Sequence, residues 1–180
     1  VDPGDGAGKF LSISQTPTGG ALRLVKDINA GNGDSTPFLG AETRFTNPRV
    51  NDTVFFTADD GMHGNELWKS DGTEQGTVLL KDVNPGPNGS NAQYLTNIGG
   101  TIFFAASDGS HGFELWKSNG TENGTVLVAD INPESGSSVP AEFTALNGAV
   151  LFSANAGLWK LDGDEVVSLS NGDAVPMIPQ

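Results

Sequence analysis

The chain has no cysteine, which excludes disulfides, thiolate metal centres and cysteine nucleophiles. It also lacks any helix-length amphipathic stretch, and no run approaches the ~18 apolar residues of a membrane-crossing helix. No basic-then-apolar leader opens it, so a water-soluble, non-membrane-spanning chain is expected. Basic residues are scarce: nine Lys and Arg stand against 22 Asp and Glu, a net charge of −13. Such a surface repels phosphate backbones and anionic lipid, so nucleic acid is not an expected partner. G-x-S-x-G, H-E-x-x-H, P-loop and dinucleotide glycine motifs are missing as well. With no catalytic motif to point to, a non-enzymatic protein is expected.

What is present is turn chemistry and short apolar runs. Twenty-five glycines and ten prolines in 180 residues punctuate repeated runs of Val, Ile, Leu and Phe, the pattern of turn-rich β structure rather than disorder. With 36% hydrophobic residues the chain has enough apolar surface for one domain with a core. A strongly acidic, cysteine-free, Gly/Asn/Asp/Thr-rich composition is associated with secreted and surface-layer bacterial proteins, so an extracellular or cell-surface location is the expectation.

The organisation comes from a repeat. "ELWKSDGTEQGTVLLKDVNPG" at 66–86 returns at 114–134 as "ELWKSNGTENGTVLVADINPE", 48 residues on, and a shortened copy, "GLWKLDGDEVVSLS", begins at 157. That period is the size of one four-stranded propeller blade, ~40–50 residues. In the best copy "AQYLTNI" turns through Gly99 and Gly100 into "TIFFAAS", passes "DGSHG" into "FELWKS", and turns through "NGTEN" into "GTVLVADI", which reads as a four-strand antiparallel meander. The preceding and following copies read the same way, the last having lost the five-residue loop before Trp159.

At the ends, "FLSIS" and "ALRLVKDINAG" match the third and fourth strands of a unit without its first two, while "AVPMIP" supplies one short strand that its prolines confine to an edge. The expectation is an all-β, propeller-like domain over 1–180, with about four blades of four-stranded meanders. It divides into a half blade at 10–35, blades at 40–86, 92–134 and 142–170, and a tail strand within 171–180. Pairing N-terminal with C-terminal strands in one split blade would close the ring. Trp68, Trp116 and Trp159 recur at one place in the repeat, as inter-blade packing residues should; a sugar-stacking platform would need them exposed.

"ELWKSDGTEQGTVLLKDVNPG" resembles the ELWxxDGT repeats that occur in tandem in large secreted and surface proteins of bacteria. The likeness covers residues 40–140 well and the flanks weakly. It implies a β-propeller-like or hyalin-like extracellular repeat without an assigned enzyme activity. The last copy departs from the pattern in having Gly157 for Glu and in lacking the G-T-x-x-G-T stretch, and the first has "QTPTGG" for the turn, as terminal units of repeat proteins do.

The candidate chemistry is oxygen-rich. "DINAGNGDS", "DVNPGPNGS" and "DINPESGSS" begin Asp-x-Asn, which makes Asp27, Asn29, Asp34, Asp82, Asn84, Asn88, Asp130 and Asn132 the candidate calcium ligands, calcium being the one cofactor considered. The competing reading is a set of Asx turns where the chain leaves one blade for the next. His63 with Glu66, and His111 with Glu114, form a repeated His-x-x-Glu. An active site is normally made once, so a duplicated pair reads as a duplicated loop. The expected function is that of an extracellular structural protein that self-assembles into a filament, tube or coat as a homo-oligomer or polymer, through its repeats and through strand addition by the tail. The alternative is a monomeric propeller that binds glycans as a lectin or adhesin module.

Overall fold

A computed structural model describes residues 9–12, 23–30, 35, 48–133, 135–163, 165–170 and 174–176. Among these the chain forms fifteen β-strands and no helix. β1 (Lys9–Ser12) and β2 (Arg23–Asp27) make a two-stranded sheet. β3 (Arg49–Val50), β4 (Thr53–Asp59), β5 (Asn65–Ser70) and β6 (Val78–Lys81) make the second sheet. β7 (Gln93–Ile98), β8 (Thr101–Ala106), β9 (Glu114–Ser118) and β10 (Thr125–Ala129) make the third. The last sheet holds β11 (Ala141–Leu146), β12 (Ala149–Ala154), β13 (Gly157–Asp162), β14 (Glu165–Ser168) and β15 (Ala174–Pro176). All neighbours pair antiparallel in chain order. No helix among the described residues is long and apolar enough to cross a membrane.

The strands are the β-branched and aromatic runs, and the turns follow from the residues between them. Asn147 and Gly148 both have positive φ (52° and 87°), the conformation that twists a tight hairpin correctly between β11 and β12. Where the last unit has lost its five-residue loop, Asn155 and Ala156, with φ of 48° and 56°, join β12 to β13 directly.

The core lies between sheets. Phe55, Leu67 and Leu80 of the second sheet pack against Ile102, Phe104, Ala106, Trp116 and Leu127 of the third. Phe103, Leu115 and Val128 of the third pack against Phe152, Ala154 and Trp159 of the last. Ile28, just after β2, packs against Phe56, Ala58 and Trp68. Each internal sheet therefore has a forward face, toward the next unit, and a backward face carrying the tryptophan, toward the one before. Burial on both faces is why the strands read as continuous apolar runs rather than as alternation. Lysines add directional ties across the gaps on either side of the second sheet: Lys26 Nζ donates to the Thr77 carbonyl at 2.8 Å, Lys81 Nζ to Thr125 at 2.9 Å, and Lys69 Nζ to Gly120 at 2.8 Å.

One expectation is corrected. The N- and C-terminal strands do not share a split blade. β15 pairs with β14, Val166 opposite Val175 and Glu165 opposite Pro176, while β1 and β2 form a sheet of their own. The reason is local: a short return from Ser168 closes a small loop onto the neighbouring strand, and small loops lose the least entropy. Pro176, with no N–H to donate, sits on the outermost strand, where it is tolerated. The four sheets follow one another without closing.

Candidate functional site

The recurrent polar residues gather where one sheet hands over to the next. Glu66 is the second residue of β5 and is fully buried. Its Oε1 accepts the backbone N–H of Asn84 (2.9 Å) and of Ser90 (2.8 Å), and its Oε2 accepts the Ser90 hydroxyl (2.5 Å). Glu114 repeats this, with Ile131 N–H (2.8 Å) and the Ser138 hydroxyl (2.6 Å) on Oε2 and Ser138 N–H (2.8 Å) on Oε1. Each glutamate thus clamps the connector that leads out of its own sheet. Burial pushes both carboxyls above the usual carboxylate range, against the pull of these hydrogen bonds. The last unit has Gly157 at this position, and β14 continues to β15 in the same sheet, so no connector to a further sheet needs holding.

The histidines belong to a different pairing from the one their spacing suggested. His63 Nδ1 lies 2.7 Å from Asp60 Oδ2, and Asp60 Oδ1 accepts the N–H groups of Met62 and His63, both at 2.9 Å. His111 and Asp108 repeat it, with a ring contact of 2.8 Å and the N–H groups of Ser110 and His111 at 2.9 and 2.8 Å. The hydrogen bond to the aspartate raises each imidazole above its ordinary value. Burial pushes the two aspartates up, but the bonds they accept hold them below the carboxylate range. The loop packs on the connector through Gly64, where φ is +64° and a Cβ would fall 2.5 Å from Gly89 N and 2.6 Å from the Pro87 carbonyl. Only glycine fits there.

The "SDGT" turn is a third self-satisfied loop. Asp71 Oδ1 accepts Thr73 N–H (2.9 Å) and the Thr73 hydroxyl (2.7 Å), Thr73 Oγ1 accepts Gly76 N–H (2.9 Å), and the Ser70 and Thr77 hydroxyls meet at 2.7 Å in the buried interior. Asn119, Thr121, Gly124, Ser118 and Thr125 reproduce every bond. The hydroxyl of Thr73 lowers the Asp71 carboxyl.

The candidate calcium ligands lie in three separate connectors, from the end of β2 and after β6 and β10. Asp27 and Asn88 are exposed, and Asp34 lies outside the described residues. Asn29 lies against the position a Cβ on Gly61 would take. The Asn84 amide donates to the Gly89 carbonyl at 2.8 Å and the Asn132 amide to the Ser137 carbonyl at 3.3 Å, each closing five residues of its connector rather than making an Asx turn. Asp82 and Asp130 each keep one buried carboxylate oxygen without a protein donor, and each carboxylate adds to the field that raises the neighbouring histidine. Among the described residues no three His, Cys, Asp or Glu side chains group to hold a metal. Trp68, Trp116 and Trp159 are buried between sheets, where no sugar ring can stack on them.

Sequence reasoning missed the glutamate clamp. Its signal is an offset: Glu66 to Ser90 and Glu114 to Ser138 are both 24 residues apart. Fold and site together define an all-β protein of repeated antiparallel sheets whose recurrent polar side chains secure its loops and connectors. Neither a protein-family model nor a curated protein matches the chain.

Proposed function

We propose that the chain is a non-enzymatic structural repeat protein, propeller-like in the way its sheets succeed one another, that works outside the cell by self-assembly. The observation that carries this reading is how the recurrent polar motif is used: the glutamates, the Asp–His pairs and the Asp–Thr turns each bind a loop of their own chain. What is repeated is a way of seating one sheet on the next, and a residue set kept for that purpose makes a stackable unit. The ELWxxDGT-like stretches and the acidic, cysteine-free composition support an extracellular setting. Since β15 lies on β14 of its own chain, the reading rests on sheet faces rather than on strand exchange. Negative-stain microscopy and light scattering of the purified chain test it. Rings, filaments or other large oligomers are expected, and a monomer at every concentration would refute it.

A further inference from the structure

Positions that are covered in the internal sheets are bare in the last one. Leu67 of β5 and Leu115 of β9 are 0% exposed, each sealed by the next sheet, whereas their counterpart Leu158 in β13 is 48% exposed. Leu80 and Val128, at 5% and 0%, correspond to Leu169 at 49%. Val50 and Ile98 pack against the sheets that follow them, and their counterpart Leu146 is 52% exposed. Three leucines thus mark the forward face of the last sheet as a surface built like an interface and left open. The lysines of the second and last sheets differ in the same sense. Lys69 reaches the next sheet's Gly120 carbonyl, while its counterpart Lys160 turns back onto Asp162 of its own strand at 2.9 Å.

The other end of the stack is bare on the opposite face. Leu24 of β2 corresponds to Leu79 and Leu127, which lie with the tryptophans on the backward faces of their sheets. Leu79 is half-buried and Leu127 buried, whereas Leu24 is 42% exposed. Among the described residues, one end therefore offers exposed leucines on a forward face and the other an exposed leucine on a backward face. These are the two halves of a contact the chain already makes between its own sheets.

We propose that the forward face of the last sheet, centred on Leu146, Leu158 and Leu169, docks the backward face of the first sheet, at Leu24, of a second copy of this chain. This rests on the self-assembly reading and names its surface. The occupant is chosen by continuity with the internal interfaces, where the same forward positions are covered by a backward face each time. The contact is heterologous, so it yields a filament, or a ring if its rotation closes.

Leu158→Asp and Leu24→Asp test it, since both leucines are about half exposed in the single chain and a charge there leaves the internal clusters untouched. Circular dichroism and thermal melting check that each variant is folded. Sedimentation velocity and light scattering then read the size of the intact chain, of each variant alone, and of an equal mixture. The expected result is growth with concentration for the intact chain, monomers for each variant alone, and dimers that grow no further in the mixture, because it retains one intact face of each kind. If the intact chain assembles and the variants assemble equally well, this surface is wrong while self-assembly stands. Dimers of Leu24→Asp alone would mean that forward faces meet each other, and would overturn the head-to-tail contact. An intact chain that stays monomeric overturns both.

Discussion

The third sheet and the last sheet are built from aligned strands, yet differ in what surrounds them. Leu115 is sealed and Leu158 is half open; Glu114 clamps a connector where Gly157 has none to clamp; the seven-residue connection 107–113 is cut by five residues to the turn Asn155–Ala156. Every motif residue that the last unit has lost served the junction with a neighbour or its supporting loops, while the backward-face Phe152, Ala154 and Trp159 persist. The difference teaches which parts of the repeat make a sheet and which parts make a stack.

Substitutions at aligned positions sharpen that contrast. The largest gap is expected at the leucines: Leu115→Ala should destabilise by about 3 kcal/mol through a buried cavity, and Leu158→Ala by less than about 1 kcal/mol, as urea denaturation of dilute protein would show. Equal losses would mean that the two faces are alike after all. Glu114→Ala is expected next, at about 1–3 kcal/mol, because it strands the Ile131 N–H in the interior and leaves the Ser138 N–H and hydroxyl only the Phe113 carbonyl, and hydrogen exchange at Ile131 should accelerate with it.

A pH series separates the clamp from simple packing. Since burial raises the Glu114 carboxyl, its stabilising contribution is fully present below the unfolded carboxyl value and is lost as pH rises through the raised one. The stability advantage of the native chain over Glu114→Gln should therefore shrink as pH rises through that window. Thr121→Val should cost about 1 kcal/mol by removing its bonds to Asn119 and Gly124, a loss with no equivalent in the last unit.

The smallest effect concerns His63 and His111. Their raised values give stability that is present below the ordinary histidine value and is lost as pH rises through the raised one. The lowered Asp60 and Asp108 give stability that is lost as pH falls through their depressed values. Between those limits each half-buried pair contributes ~0.5 kcal/mol. NMR titration should show both imidazoles above the ordinary value, with His63 returning toward it in Asp60→Asn.

Much of the fold was legible because it is local. Meander strands pair with their chain neighbours, so the apolar runs and the Asn-Gly turns between them locate each sheet directly, down to the short edge strand at Ala174–Pro176. Ring closure was not legible, because it depends on how far each sheet rotates from the last, and no residue pattern encodes that angle. At the site, periodicity flagged His63 and Glu66 together, but three residues of separation across the end of a strand put them on different partners: His63 on Asp60 within its loop, and Glu66 on a connector beyond Val83. Spacing along the chain finds a turn well and finds a clamp only when both ends of it recur.

The shared 48-residue register of clamp, loop and lysine makes the unit a genetic module. Removing residues 93–140 would join Ala92, just past the Glu66 connector, to Ala141 at the start of β11, and would bring Phe55 and Leu67 against Phe152, Ala154 and Trp159 in place of Phe104, Ala106 and Trp116. The apolar faces brought together are of the same kind as those parted, while the Lys69 and Lys81 ties lose their acceptors at Gly120 and Thr125. Lengthening or shortening such a gene by whole periods therefore changes how many sheets are stacked while the clamps and apolar faces of the remaining units are kept.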